Sequence, residues 1–136
     1  MPRLLPDTDL LVSTLLRPAL GTGVTVTTEI PDNATSVLPL VIATRIPAGG
    51  AVHPRFLDRA TVSVEAWHHS KQQASDLAEE TRVALYAAWE QQLTTLHGHI
   101  AYYDEMAAPA EIRTEDQPAE VFRYQASYVL ATRPPL

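Results

Sequence analysis

The chain has 136 residues, about one domain's length, and no cysteine, which excludes a disulfide framework, a thiolate metal site and a cysteine nucleophile. Acidic residues (16) outnumber basic ones (10) for a formal charge of −6, and no basic cluster supplies the phosphate-neutralising surface on which nucleic-acid affinity depends. The opening MPRLLPDTDLLVSTLL interrupts its apolar residues with Asp7 and Asp9, and no apolar run is long enough to span a bilayer. The expectation is therefore a chain without signal peptide or membrane span, made in the cytoplasm.

Leu11, Val12, Leu15, Leu16 and Ala19 fall on one helical face, with Asp7 or Thr8 as start signal and GTG at 21–23 as stop. Pro18 lacks an amide hydrogen and crowds the carbonyl four residues back, which predicts that this short helix ends or kinks near Arg17. VTVTTEI at 24–30 alternates Val24, Val26 and Ile30 with polar residues, the period of a half-buried strand. A turn, PDN at 31–33, leads to VLPLVIATRI at 37–46, apolar on both faces and so a more central strand with Pro39 near its beginning. PAGGAVHPRFLDR at 47–59 has the glycines and prolines of a long loop, a length that points to mobility or function.

In the third strand Val62, Val64 and Ala66 face one way, and Thr61, Ser63, Glu65 and Trp67 the other. The period then lengthens. Ser70 followed by Gln73 fits a capping box, and Ala74, Leu77, Ala78, Ala84, Leu85, Ala88 and Trp89 form the core-facing stripe of a long helix. HGHIAYYDEM at 97–106 reads as a strand, 107–120 as a loop, and 121–133 as the last strand, with Phe122, Tyr124, Ala126, Tyr128 and Leu130 on one face. No repeat or linker divides the pattern, so residues 1–136 read as one domain. The element order α-β-β-β-α-β-β predicts an α+β fold: a mostly antiparallel sheet of 4–5 strands against one long helix and one short N-terminal helix.

A catalytic constellation is not evident. Of the five histidines, at 53, 68, 69, 97 and 99, the adjacent pair His68 and His69 points apart, and His97 with His99 shares a strand face that Asp104 or Glu105 joins only after a bend. Exposed or turn-capping histidines explain these positions without a metal. Ser63, Ser70 and Ser127 sit in no nucleophile pattern, no glycine-rich phosphate cradle opens a helix, and Glu79 with Glu80 reads as a solvated face. The expectation is a protein with no enzymatic activity, metal or cofactor, a small metal-dependent enzyme being the distant alternative. Val83 and Ala87, with Tyr86 beside them, interrupt the polar helix face of Asp76, Glu79, Glu80 and Glu90, as a subunit contact would. Val129 and Ala131 similarly put apolar groups on the second face of the last strand.

Taken in order, LLVSTLLRPALG, VTVTTEIP, LPLVIATRIPAGG, RATVSVEAWHHSKQQASDLAEETRVAL and FRYQASYVLATRP resemble the tail terminator, or tail completion, proteins of long-tailed bacteriophages. The resemblance covers nearly the whole chain and implies a structural virion protein. Such a subunit would form a ring, commonly a hexamer, at the head-proximal end of the tail tube, ending tube growth and meeting the head-completion or neck proteins. DNA would pass through without specific binding. A neck or head-completion protein of the same virion is the alternative. Under the resemblance the loops would reach neighbours, so Gly49, Gly50, His53, Arg55 and Phe56 join Val83, Tyr86 and Ala87 as candidate interface residues. Glu65, Asp76, Glu79 and Glu80 are candidates for the channel wall.

Overall fold

The computed structural model describes residues 4–115 and 117–135. Asp7 opens helix α1, Thr8–Leu20: its Oδ1 accepts the Leu10 amide hydrogen at 3.3 Å, satisfying one of the first turn's spare donors. Gly21, at φ 85°, closes the helix by donating its amide to the Arg17 carbonyl. The helix does not end at Arg17, one of the two outcomes expected there, but continues through Pro18 to Leu20. Pro18 lies on the exposed side of the last turn, where one lost bond to the Thr14 carbonyl is outweighed by the burial of Leu11, Val12, Leu15 and Leu16. Ala19, expected on the buried face, is exposed.

Five strands follow the predicted order: β1 (Thr25–Thr27), β2 (Leu40–His53), β3 (Leu57–His68), β4 (His99–Ile112) and β5 (Phe122–Arg133), with helix α2 (Lys71–Glu90) between β3 and β4. In the sheet they stand β1-β2-β3-β5-β4; β1 runs parallel to β2 and every other pairing is antiparallel. The mixed sheet with both helices is the α+β architecture expected. β1 is much shorter than 24–30, because only Thr25–Thr27 find ladder partners, Leu40–Ile42.

Two expected loops are strands. Residues 47–59 form the outer half of a β2–β3 hairpin whose turn is 54–56, and a register shift between Ile46 and Gly49 absorbs Pro47. β4 likewise continues through Ala107, Ala108 and Pro109 to Ile112, shortening the loop expected at 107–120, of which Asp116 lies outside the described residues. Pro109 is tolerated because β4 is an edge strand, where an absent amide hydrogen can face solvent.

Both helices cover one face of the sheet. Leu11, Leu16, Leu77 and Leu85 pack there against Val41, Val62, Val64, Tyr128 and Leu130. Trimming the fully buried Leu85 to alanine removes about 2–5 kcal/mol. Ser70 caps α2 by accepting the Gln73 amide hydrogen at 3.2 Å, while its hydroxyl donates to Gln73 Oε1 at 3.1 Å. Segment 34–38 covers the opposite sheet face at one end, where Ala34, Leu40, Ile42, Trp67 and Val121 make a second cluster.

Candidate functional site

The outer face of α2 follows from its spacing. With Ala74, Leu77, Ala78, Thr81, Leu85 and Ala88 turned inward, positions 76, 79, 80, 83, 87 and 90 fall on the opposite side. Val83 is 56% exposed there and separates two grooves. One, about 290 Å³, lies between α2 and β4 and is lined by Glu79, Arg82, Tyr86, Tyr103 and Glu105. The other, about 500 Å³ and more apolar, lies between Ala19 of α1 and Glu80, Ala84 and Ala87 of α2.

Charge and aromatic contacts fix the first groove. Arg82 Nη2 donates to Glu105 Oε2 at 2.7 Å and Nη1 to Glu79 Oε2 at 3.2 Å, bridging helix and strand. The Tyr86 hydroxyl donates to Glu90 Oε2 at 3.2 Å, and that bond raises the Tyr86 pKa. Trp89 and Tyr103 stack at 6.1 Å, and the Trp89 indole donates to the Ala101 carbonyl, locking the end of α2 on β4. Burial first, and Glu105 second, push Tyr103 up to about 12; burial raises the Tyr128 phenol beneath it as well.

The hairpin is the second surface. Gly49 has φ 82°, and a Cβ there would sit 2.4 Å from the Arg59 carbonyl oxygen, so the bulge that keeps the strands paired requires glycine. At the turn, Phe56 donates its amide to the His53 carbonyl, and the two rings stack at 4.5 Å. Val52 and Phe56 stay more than half exposed. Arg55 and Arg59 form no ion pair among the described residues, although Arg45, Arg82, Arg123 and Lys71 all do. At the hairpin's base Arg45 pairs with the buried Asp58, and the Arg45 amide donates to Asp9 Oδ1 at 2.7 Å, tying the hairpin to α1.

Glu65 belongs to neither surface. Because β3 turns Val62, Val64 and Ala66 to the helices, Glu65 and Trp67 face the other side of the sheet. There Arg123 Nη2 stands 2.6 Å from Glu65 Oε1, the Trp67 indole donates to the same oxygen at 3.2 Å, and the guanidinium lies 4.6 Å over the indole ring. The structure thus gathers Asp76, Glu79 and Glu80 on α2 and separates Glu65 from them. It gathers Val83, Tyr86 and Ala87 on the same helix, and Gly49, Gly50, His53, Arg55 and Phe56 on the hairpin.

The histidines are dispersed. His68 Nδ1 accepts the His69 amide hydrogen at 2.8 Å, and burial, then His69, lower the His68 pKa. His97 lies in the Thr95–Gly98 turn before β4, so it does not share a strand with His99 as expected: Gly98, at φ 115°, intervenes. Among the described residues no group of three or more His, Asp or Glu side chains is arranged to hold a metal ion. Three contributors escape a reading of the sequence: Arg82, Tyr103 and Glu105. The only signal for them is Arg82 three residues after Glu79 on a helix face.

The family model described as "Phage tail termination protein" matches residues 4–136. Among solved structures, a chain from "Virion of native gene transfer agent (GTA) particle" is 15% identical with a TM-score of 0.46, over 92% of this chain and 93% of that one. No curated protein matches the chain.

Proposed function

Because the chain belongs to the phage tail termination protein family and is a structural component of a phage tail, we propose that it forms a closed ring, commonly a hexamer, on the head-proximal end of the tail tube. One face of the ring matches the tube and adds to it; the other does not, so growth stops there and head-completion or neck proteins bind instead. The observation that carries this reading is the family match from residue 4 to residue 136. The protein acts by shape and carries out no reaction, and it assembles in the host cytoplasm.

Physical features support the reading. Exposed Val83, Tyr86, Val52 and Phe56 stand on two separate elements, the arrangement a head-to-tail contact between identical subunits needs. A formal charge of −6 suits a passage through which DNA slides without adhering. Asp76 is the better channel-wall residue, because Arg123 already compensates Glu65 and Arg82 compensates Glu79.

Deleting the gene from its virus tests the proposal. Filled heads beside unjoined tails of abnormal length are expected. Tails of normal length, with the defect confined to the head side, would replace this reading with that of a head-completion protein.

A further inference from the structure

Several charged residues form no ion pair among the described residues, and two sets of them stand beside exposed apolar surface. Arg55 and Arg59, without ion pairs among the described residues, sit on the β2–β3 hairpin beside the exposed Val52 and Phe56. Glu80, likewise without an ion pair among them, lines the groove of about 500 Å³ between α1 and α2 together with Ala19, Glu79, Val83, Ala84 and Ala87. One element therefore carries an aromatic ring flanked by arginines, and another an apolar trough flanked by carboxylates. Each is the chemical complement of the other. They lie on different elements of the chain, so joining one to the other in a head-to-tail contact satisfies both around a closed ring.

We propose that the hairpin tip of one subunit docks into the α1–α2 groove of the next copy of this chain, Phe56 covering Val83 and Ala87 while Arg55 or Arg59 meets Glu80. The proposal rests on the ring reading and specifies its contact. A head-to-tail contact of this kind either closes into a ring or propagates. The hairpin is already rigid before it docks, because the Arg45–Asp58 pair and the Asp9 bond to the Arg45 amide fix its base to α1. Little freedom is lost on docking. Glu80 then belongs to a subunit boundary and not to the channel wall.

The absence of cysteine makes the test clean. In the double variant Phe56→Cys with Val83→Cys, oxidation can join only the introduced thiols. A ladder of covalent oligomers ending at the ring's subunit number is expected on a non-reducing gel, with each single variant remaining a monomer. Separately, Arg55→Glu and Glu80→Arg should each weaken assembly by about tenfold, and the double reversal should restore it. Rings that form on tail tubes while neither the ladder nor the rescue is seen overturn this contact and leave the ring reading intact. Self-linking of Val83→Cys alone reveals a two-fold contact and overturns it too. A protein that stays monomeric at every concentration, with and without tail tubes, overturns both.

Discussion

Arg45 and Asp58 meet in a two-pronged ion pair across the β2–β3 hairpin, with Nη1 2.6 Å from Oδ2 and Nη2 3.2 Å from Oδ1. Asp58 is 4% exposed, so removing its charge leaves a guanidinium with its partner gone beside a buried amide. Asp58→Asn is expected to lower stability by about 2 kcal/mol, toward the lower end for broken buried pairs because Arg45 still reaches solvent. Urea denaturation measures it. A loss under about 0.5 kcal/mol would assign the hairpin's rigidity to the strand ladder alone.

Gly49 and Gly50 make an internal comparison. A methyl group at Gly49 collides with the Arg59 carbonyl at a left-handed φ, whereas one at Gly50 meets nothing within 4 Å. Gly49→Ala should cost about 1–3 kcal/mol and loosen the hairpin, and Gly50→Ala should be nearly silent. Equal midpoints in thermal unfolding would show that the bulge does not depend on glycine.

These glycines also explain what the sequence conceals. Pro47, Gly49, Gly50 and Pro54 are turn formers in isolation, and only pairing with Asp58–Ala60 makes strands of their neighbours. Ala107–Ala110 is obscured in the same way, since alanine and proline carry no strand signal and the edge position that tolerates Pro109 is a tertiary fact. By contrast Ser70, Gln73 and the alternation of Val62, Val64 and Ala66 are local, and they mark α2 and β3 correctly. The Glu65–Arg123 bridge joins residues 58 apart in the chain, a separation no periodicity can register.

Two phenols set the alkaline limit. Burial raises Tyr103 to about 12 and also raises Tyr128, so the folded state holds these protons more tightly than the unfolded chain, whose phenols ionise near pH 10. The stabilisation is intact below pH 10 and is lost as pH climbs through 10 toward 12. Phenolate absorbance should show a fraction that develops only with unfolding. The Tyr128 hydroxyl is buried without a hydrogen-bond partner among the described residues, so Tyr128→Phe should keep stability at neutral pH and move alkaline unfolding upward. An unchanged alkaline midpoint would refute this account.

His97 and His99 are expected to be dispensable for assembly. Substituting alanine for both should leave ring formation unchanged, and protein dialysed against zinc should retain none in stoichiometric amount. Zinc bound one to one, and lost in the double variant, would restore the metal-protein alternative.

A charge on the outer face of α2 should act on assembly alone. Val83→Asp changes a side chain that is 56% exposed in the subunit, so the fold should persist while the sedimenting species becomes smaller. Unchanged sedimentation at matched concentration would return Val83 to ordinary surface.

The ragged pairing of β4 bears on how the protein survives before it is used. Its register with β5 slips between Ile100 and Tyr102, between Glu105 and Ala107, and again before Ala110, and Pro109 removes a donor from the row. A straight, unpaired strand of this length would recruit its own kind through backbone bonds, and a cell filling with newly made copies would then accumulate fibres. The irregular edge denies such strands a continuous template. A concentrated solution of subunits is therefore expected to stay free of fibres.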